Sequence, residues 1–250
     1  MRYFVQFSYN GKAYHGWQNQ PNAITVQQIL EKTFSTILRA DVPLMGAGRT
    51  DAGVHAKQMY AHFEVEEIAD IKDLVYKLNS FLPEDIAVQE IFQVNPDVHA
   101  RFAAVERTYE YWITQDKNPF YEDSAYYVRH PLDVQKMNEA ASMLLDFKDF
   151  ECFSKSNTDV YTYLCDIKSA FWVQKEGILV FTITADRFLR NMVRAIVGTL
   201  IEVGVGKSTL ADVKAIINSK DRRKAGYSVP AKGLYLTQII YPKTITVKHG

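Results

Sequence analysis

The sequence predicts an α+β fold made of two ferredoxin-like (RRM-like) βαββαβ units. Their mainly antiparallel sheets are expected to pack together and to leave an active-site cleft between them. Two observations lead to this fold class. Apolar side chains alternate along short segments such as 2–9, and they recur at helical spacing along others such as 26–38. The resulting elements follow the order β-α-β-β-α-β in the first half, and the second half is expected to repeat that order.

In the first half, alternation predicts strands at 2–9, 42–45, 59–65 and 86–94. Helical spacing predicts a first helix at 26–38, which Thr25 can cap, and a second at 71–78. Leu82-Pro83 ends the second helix, because proline disfavours the helical conformation in the residue before it. Trp17, in the loop before the first helix, is expected to cover the core, with a ligand contact as the alternative.

In the second half, strands are predicted at 108–114, 165–172, 178–184 and 235–241. Helical stripes occupy 134–145, a long stretch from Arg187 to Ile201, and 210–217. No sequence repeat is visible, so duplication is inferred from element order alone. We place the N-terminal domain, which carries the glycine-rich loop, at 1–103, and the C-terminal domain, which completes the cleft, at 104–250.

Composition indicates a globular, cytoplasmic protein, since 47% of its 250 residues are hydrophobic and 13% are aromatic. The 29 basic and 29 acidic side chains cancel, which argues against a uniformly basic nucleic-acid binder but allows a local basic cleft. The two cysteines form no CxxC pair and the histidines lack ligand spacing, so we expect neither a metal nor a cofactor. The first residues predict a strand rather than a signal peptide, and no apolar run reaches the ~20 residues that a membrane helix needs.

The stretch GAGRTDAGVHA, residues 46–56, is the strongest candidate for chemistry. Gly46, Gly48 and Gly53 can take positive φ, and their density predicts a tight loop that lies close to another part of the chain or to a ligand. Asp51 lies at its centre, between two predicted strands. A lone carboxylate suits nucleophilic attack or general base catalysis. A glycosidase or nucleosidase is disfavoured, because no partner carboxylate is evident.

Basic residues offer a second signal. Arg187, Arg190 and Arg194 follow i, i+3, i+7 spacing, and their stripe is either a solvated face or a row of phosphate contacts. Further cations that could line a cleft are Arg101, Arg107, Lys220, Arg222, Arg223 and Lys224. The strand aromatics Tyr109, Tyr111 and Trp112 could stack on RNA bases, although most strand aromatics belong to the core. The GVGKS at 204–208 lacks the first glycine of a phosphate-binding loop and follows a helix, so we reject an NTPase.

The nine residues GRTDAGVHA closely resemble the signature of the tRNA pseudouridine synthase A family. The resemblance covers most of the chain, since further segments look like family blocks in the family's order. These segments are YNGKAYHGWQNQ, VQQILE, LNSFLP, VHARFAAVERTYEY, FLRNMVRAIVG and VPAKGLYL.

The resemblance implies roles for individual residues. Asp51 matches the family's catalytic aspartate and Tyr109, in RTYEY, its active-site tyrosine. Arg194, in NMVR, matches the arginine that pairs with the aspartate, and Arg49 matches a loop arginine implicated in moving the target base. One departure is Lys148, which stands where family members often have histidine.

The activity that the resemblance implies is isomerisation of uridine to pseudouridine in the anticodon arm of tRNA, at positions 38, 39 and 40. It implies a homodimer, no cofactor and no membrane. The competing hypothesis is a non-catalytic RNA-binding protein with two RRM-like sheets. The set of Arg49, Asp51, Tyr109 and Arg194 favours an enzyme, because a carboxylate facing anionic RNA has no use in a simple binder.

Overall fold

The computed structural model describes residues 1–156 and 160–246. These residues divide into two compact units. Unit 1 contains Met1–Val105 together with the chain from Leu236 onward, and unit 2 contains Glu106–Tyr235. The predicted α+β class with mainly antiparallel strands is confirmed, since five strand pairs of the two units are antiparallel and one is parallel.

Unit 1 has the strand order β4-β1-β3-β2, which is the order of a ferredoxin-like sheet. Its elements are β1 (Arg2–Tyr9), α1 (Val26–Leu38), β2 (Met45–Gly46), β3 (His55–Glu64), α2 (Ile71–Phe81) and β4 (Ile86–Val94). Phe34 of α1 packs edge-on against Phe63 of β3, with ring centroids 5.0 Å apart. The predicted cap is present, because the Thr25 side chain accepts a hydrogen bond from the Gln28 backbone N–H.

The short strand predicted at 42–45 is displaced to Met45–Gly46. The backbone N–H of Val42 donates to Ser35 Oγ at 3.1 Å, and that of Leu44 donates to Glu31 Oε1 at 2.9 Å. Side chains of α1 therefore bind the donors that a strand would have offered to the sheet. Alternation alone did not show this competition.

Unit 2 has the strand order β5-β8-β7, with β6 on the other edge pairing in parallel with β5. Its elements are β5 (Glu106–Thr114), β6 (Tyr126–Tyr127), α3 (Val134–Met143), β7 (Ile167–Lys175), β8 (Ile178–Ala185), α4 (Met192–Gly204) and α5 (Leu210–Ser219). The predicted hairpin joins β7 to β8, and Glu176 and Gly177 at its turn both have positive φ, as a tight hairpin turn requires.

The long helix predicted from Arg187 is wrong at its start, since α4 begins at Met192. Asn191 has φ of 66°, a left-handed conformation that cannot continue a helix. Its side-chain amide donates to Ser228 Oγ at 2.6 Å, which fixes this conformation. Arg187 and Arg190 therefore precede the helix, and the predicted stripe of three arginines along one helical face does not exist.

The last strand, β9 (Leu234–Ile240), shows where the predicted division at 103/104 differs from the compact units. The first change of unit falls after Val105, and the residues from Leu236 belong with unit 1. The Ile239 backbone N–H donates to Gln58 Oε1 at 2.8 Å, and the Tyr241 hydroxyl donates to the Ala100 carbonyl at 2.6 Å. These contacts attach the C-terminal segment to the N-terminal unit.

His62, buried on β3, is a titratable group in the core of unit 1. Its Nδ1 accepts a hydrogen bond from the Ala100 backbone N–H at 3.2 Å, and its ring lies 4.5 Å from that of His99. Burial, and then the charges of His99 and Arg2, lower the pKa of His62 to about 4. The folded protein therefore holds His62 neutral at pH values where the unfolded chain protonates it.

We expect unit 1 to lose stability as the pH falls from 6.5 to 4. A histidine whose pKa is lower in the folded protein contributes to stability. The contribution is complete above the pKa of the unfolded chain, and it is lost as the pH falls towards the pKa of the folded protein. Because the pKa of His62 is lowered from 6.5 to about 4, the loss in free energy of unfolding is at most about 3 kcal/mol. Urea unfolding at pH 7 and pH 4.5 measures it, with His62→Gln as the comparison. An equal pH dependence in parent and variant would show that His62 is not responsible.

Candidate active site

The loop between β2 and β3 carries Asp51, as the sequence predicts. Residues 47–54 form no regular secondary structure, and they run from the end of β2 at Gly46 to the start of β3 at His55. Asp51 is half-buried and Arg49 is exposed, whereas Ala47 and Val54, at the two ends, are buried. The loop thus has fixed ends and presents its charged residues nearer the surface.

Hydrogen bonds from the segment before α1 hold the loop on both sides of Asp51. The Trp17 backbone N–H donates to the Thr50 carbonyl at 3.4 Å, and the Gly53 backbone N–H donates to the Tyr14 carbonyl at 3.2 Å. The hydroxyls of Tyr9 and Thr50 are 2.8 Å apart. Backbone groups on both sides of Asp51 therefore help to position the loop.

Three glycines permit this close approach, and each does so differently. Gly16 has φ of 86°, and a Cβ built on it would lie 2.3 Å from the Thr50 carbonyl oxygen. A Cβ on Gly46 would lie 2.4 Å from Trp17 Nε1. Gly53 has positive φ, whereas Gly48 does not, and a Cβ on Gly48 would meet no described atom within 4 Å. The prediction of positive φ therefore holds for Gly53 alone, and the need for Gly16 was missed.

Trp17 is a packing residue, as expected. It is buried and stacks on Phe7 of β1, with ring centroids 5.2 Å apart. Its indole covers Gly46 at the start of the loop. The ring therefore joins the strand core to the Asp51 loop rather than facing a ligand.

Two further anchors of the segment before α1 could not be identified from the sequence. The Tyr14 hydroxyl donates to Asp85 Oδ1 at 2.6 Å, and burial followed by this carboxylate raises the pKa of Tyr14. The buried His55 accepts a hydrogen bond at Nδ1 from the Gly11 backbone N–H at 3.1 Å. Both residues occur in segments quoted for the resemblance, but nothing in their local pattern shows these partners.

Tyr109 and Arg194, the other two main candidates, belong to unit 2. Tyr109 lies on β5 opposite Ile183 of β8, is half-buried, and packs edge-on against Phe188 with ring centroids 5.2 Å apart. Arg194 lies in the first turn of α4, where its Nε donates to the Val229 carbonyl at 2.7 Å. Since Asp51 and Arg194 belong to different units, their pairing stays a prediction.

A segment at 225–230, which we call the α4 strap, lies against α4 and holds Arg194. A Cβ on Gly198 would lie 1.9 Å from the Tyr227 carbonyl oxygen, so only glycine permits this approach. The Gly226 backbone N–H donates to Thr199 Oγ1 at 2.9 Å. Arg222 donates to Ser228 Oγ at 2.9 Å. These contacts fix the carbonyl of Val229 that accepts from Arg194.

Much of the predicted basic run is engaged within unit 2. Lys220 Nζ lies 2.6 Å from Asp149 Oδ2, and Arg223 forms an ion pair with Asp221 at 2.8 Å. Arg222 binds the α4 strap. These cations have intramolecular partners at the surface, and their place in an RNA cleft stays a prediction.

Lys148, the departure from the family pattern, forms an ion pair with Asp166, which also binds Lys168. The two lysines lower the pKa of Asp166 to about 2. The charge of Lys148 thus has a partner on the surface of unit 2.

The described residues contain neither a phosphate-binding loop at GVGKS, nor a metal-binding cluster, nor a membrane-spanning helix. GVGKS forms the C-terminal cap of α4, with the N–H groups of Lys207 and Ser208 donating to the Glu202 carbonyl. Among residues 1–156 and 160–246, no group of three or more His, Cys, Asp or Glu side chains could hold a metal ion. No helix in the same residues is long and apolar enough to cross a membrane.

Comparison with known proteins identifies relatives of nearly the same length. The family model described as tRNA pseudouridine synthase matches residues 6–103 and 140–242. The tRNA pseudouridine synthase A of Parabacteroides distasonis is 53% identical over 245 residues, which cover 98% of this chain and 97% of the relative. The protein of the same name from Thermoanaerobacter sp. is 40% identical over 239 residues, covering 95% of this chain and 98% of the relative.

Proposed function

This chain belongs to the tRNA pseudouridine synthase family, and we propose that it isomerises uridine to pseudouridine in tRNA. The observation that carries the proposal is the Asp51 loop, whose neighbours Thr50 and Gly53 are bound from a single segment. A non-catalytic RNA-binding protein is not favoured, because the family and its named relatives are enzymes.

The proposed reaction breaks the bond from uracil N1 to the sugar C1′, turns the base and joins C5 to C1′. The proton on C5 is lost and N1 gains one, so the product is an isomer and no electrons are exchanged. We propose that the ionised carboxylate of Asp51 adds covalently, either to uracil C6 or to C1′, and leaves when the new bond has formed. Both versions need a carboxylate held at one place while the base turns.

We propose roles for three further residues, on the strength of the resemblance. Arg194 pairs with Asp51 and favours its ionised form. Tyr109 packs on the uracil and assists removal of the C5 proton. Arg49, which is exposed in the loop, helps to move the target base out of the RNA stack.

We further propose that the substrate nucleotides lie in the anticodon arm, at positions 38, 39 and 40, and that the protein acts as a cytoplasmic homodimer without a cofactor. The support is the resemblance and the names of the relatives. A dimer would let one subunit hold the tRNA body while the other modifies the arm.

Tritium release tests the reaction directly. Purified protein is mixed with a tRNA transcript carrying [5-³H]uridine, since formation of the C5–C1′ bond releases the C5 proton. Transcripts with cytidine at 38, 39 or 40 assign the position, and mapping of pseudouridine confirms it. Tight binding of the transcript without tritium release would favour the RNA-binding alternative.

Tyr109→Phe should retain the fold and most of the tRNA affinity but lower the single-turnover rate by about 100-fold. The ring still packs against Phe188, whereas the hydroxyl that acts in proton transfer is lost. Rapid-quench measurement of tritium release gives the rate. If Tyr109→Phe reacts like the parent while Tyr109→Leu fails, Tyr109 acts through packing alone.

A further inference from the structure

A turn at 99–103 in unit 1 exposes an aromatic ring beside a guanidinium group. Phe102 is 75% exposed, although its neighbour Ala100 is fully buried. The Arg101 guanidinium carbon lies 5.5 Å from the centroid of the Phe102 ring, and the His99 ring centroid lies 4.5 Å away on a tilted plane. A single exposed phenylalanine is ordinary on a protein surface, but one flanked by a cation and a second ring is a typical stacking site.

The turn is rigid, which distinguishes it from a mobile surface loop. The backbone N–H groups of Phe102 and Ala103 both donate to the His99 carbonyl, at 3.1 and 2.9 Å. From behind, Ala100 donates through its N–H to His62 and accepts from the Tyr241 hydroxyl. The backbone that carries the exposed ring is therefore held in place before any ligand arrives, so binding costs little ordering of the turn.

The surroundings of the ring are electrostatically suited to an anion. Burial lowers the pKa of His99 first, and the charges of Arg2 and Arg101 lower it further. Arg2 is paired with Glu64, so the positive charge beside the Phe102 ring comes from the Arg101 guanidinium, 5.5 Å from the ring centroid. An aromatic ring in a positive field matches a nucleotide, which has a flat base and a phosphate.

The turn is separate in the chain from the Asp51 loop, but both are joined to β3. The anchor of the turn, His62, follows Ala61, which pairs with Gly46 at the start of the loop, whereas the loop ends at His55. A nucleotide on Phe102 would therefore bind beside the strand that carries the Asp51 loop, through residues other than those proposed for the chemical step.

We propose that Phe102 and Arg101 form a second RNA contact, in which an unstacked base of the tRNA packs on the Phe102 ring and its phosphate binds Arg101. This inference rests on the proposed function, since it takes tRNA as the substrate. The contact supplies affinity and register, and it takes no part in the chemical step.

Equilibrium binding of a fluorescein-labelled tRNA transcript to the full chain tests the proposal. Phe102→Ala and Phe102→Leu are expected to weaken binding about tenfold or more, because base–aromatic stacking is lost. Phe102→Trp should bind at least as tightly as the parent. Tyr76→Ala is the matched control, since Tyr76 is a similarly exposed aromatic residue (73%) on α2 of the same unit. It should leave the affinity unchanged.

Three outcomes would overturn the contact. Parent-like affinity of Phe102→Ala would show that no base packs there, and parent-like affinity of Phe102→Leu would indicate apolar packing instead of stacking. A changed molar mass of Phe102→Ala in light scattering would assign the ring to a contact between two copies of the chain. If the parent itself fails to release tritium from tRNA, the proposed function fails instead, whatever the binding results show.

Discussion

Asp51→Asn is expected to abolish pseudouridine formation and to leave a folded protein that binds tRNA. Asparagine keeps the shape of the side chain, but its neutral amide is a far weaker nucleophile than a carboxylate. Loss of a residue that forms the covalent intermediate should lower the single-turnover rate on the order of 10⁴-fold or more. The tRNA affinity should change little, since Arg49 and the other cations are intact.

The fold should tolerate this substitution because backbone groups of other residues also hold the loop. The bonds from Trp17 and Tyr14 reach the backbone of Thr50 and Gly53, and the buried Val54 fixes the end of the loop. None of these contacts needs the negative charge of Asp51. The thermal midpoint of Asp51→Asn should therefore lie close to that of the parent.

The measurement is tritium release under single-turnover conditions, with tRNA binding measured on the same preparation. Asp73→Asn is a suitable control, because it also removes one carboxylate from unit 1 but breaks only an exposed pair with Lys77, worth at most about 1 kcal/mol. Its rate should equal that of the parent. Pseudouridine formed by Asp51→Asn, with deamidation and contaminating enzyme excluded by mass spectrometry, would remove Asp51 from the mechanism.

The sequence predicted the elements of unit 1 well wherever one face of a strand or helix is buried. Residues 2–9 alternate in sequence, and β1 has the same bounds, although Phe4, which breaks the alternation, is also fully buried. The start of α4 was predicted five residues too early, at Arg187. Asn191 is fixed there by a bond to Ser228, which is 37 positions away and cannot influence local periodicity.

The candidate site was predictable only where its residues are close together in the chain. The glycines and charges of 46–56 are adjacent in the chain, so their density alone indicated a loop that carries chemistry. The residues that hold this loop, Gly16 and Tyr14, precede it by about 35 residues and became evident only from the fold. The roles of Tyr109 and Arg194 rest on the resemblance, because no local pattern distinguishes them from other strand tyrosines or helical arginines.

Arg194→Ala should lower the single-turnover rate by about 100- to 1,000-fold, which is typical for removing a group that stabilises charge in the reaction. We propose that the guanidinium holds the carboxylate of Asp51 in its reactive position. In unit 2 its Nε already donates to the Val229 carbonyl at 2.7 Å, so the plane of the guanidinium is set by the α4 strap. The substitution removes both the charge and this bond.

The expected loss of stability is smaller than that for a fully buried ion pair. Breaking such a pair costs about 3–5 kcal/mol, but both Asp51 and Arg194 are only half-buried. The lost bond to Val229 leaves a carbonyl without this donor, at a cost of about 1–3 kcal/mol. Urea unfolding of Arg194→Ala should therefore show a loss in free energy of unfolding nearer about 1–3 kcal/mol than about 3–5 kcal/mol.

Arg194→Lys should recover little of the rate. A planar guanidinium can donate to Val229 through Nε and present its Nη groups to a carboxylate at the same time. The single ammonium of lysine keeps the charge, but it cannot donate to the Val229 carbonyl and to a carboxylate in the same fixed geometry. A rate close to that of the parent would show that charge alone suffices and that the strap does not orient the residue.

A double-mutant cycle decides whether Asp51 and Arg194 act together. Asp51→Asn, Arg194→Ala and the double variant are compared in single-turnover rate and, separately, in free energy of unfolding. If the two residues form one catalytic unit, the double variant should be no slower than Asp51→Asn, because Arg194 acts only through the carboxylate. The single-turnover rate of Asp51→Asn is expected to lie close to the detection limit. The cycle is therefore also run with Asp51→Glu, which keeps a carboxylate and should react at a measurable rate. Additive losses in both series would show that the two residues work independently, and the pairing would then have to be abandoned.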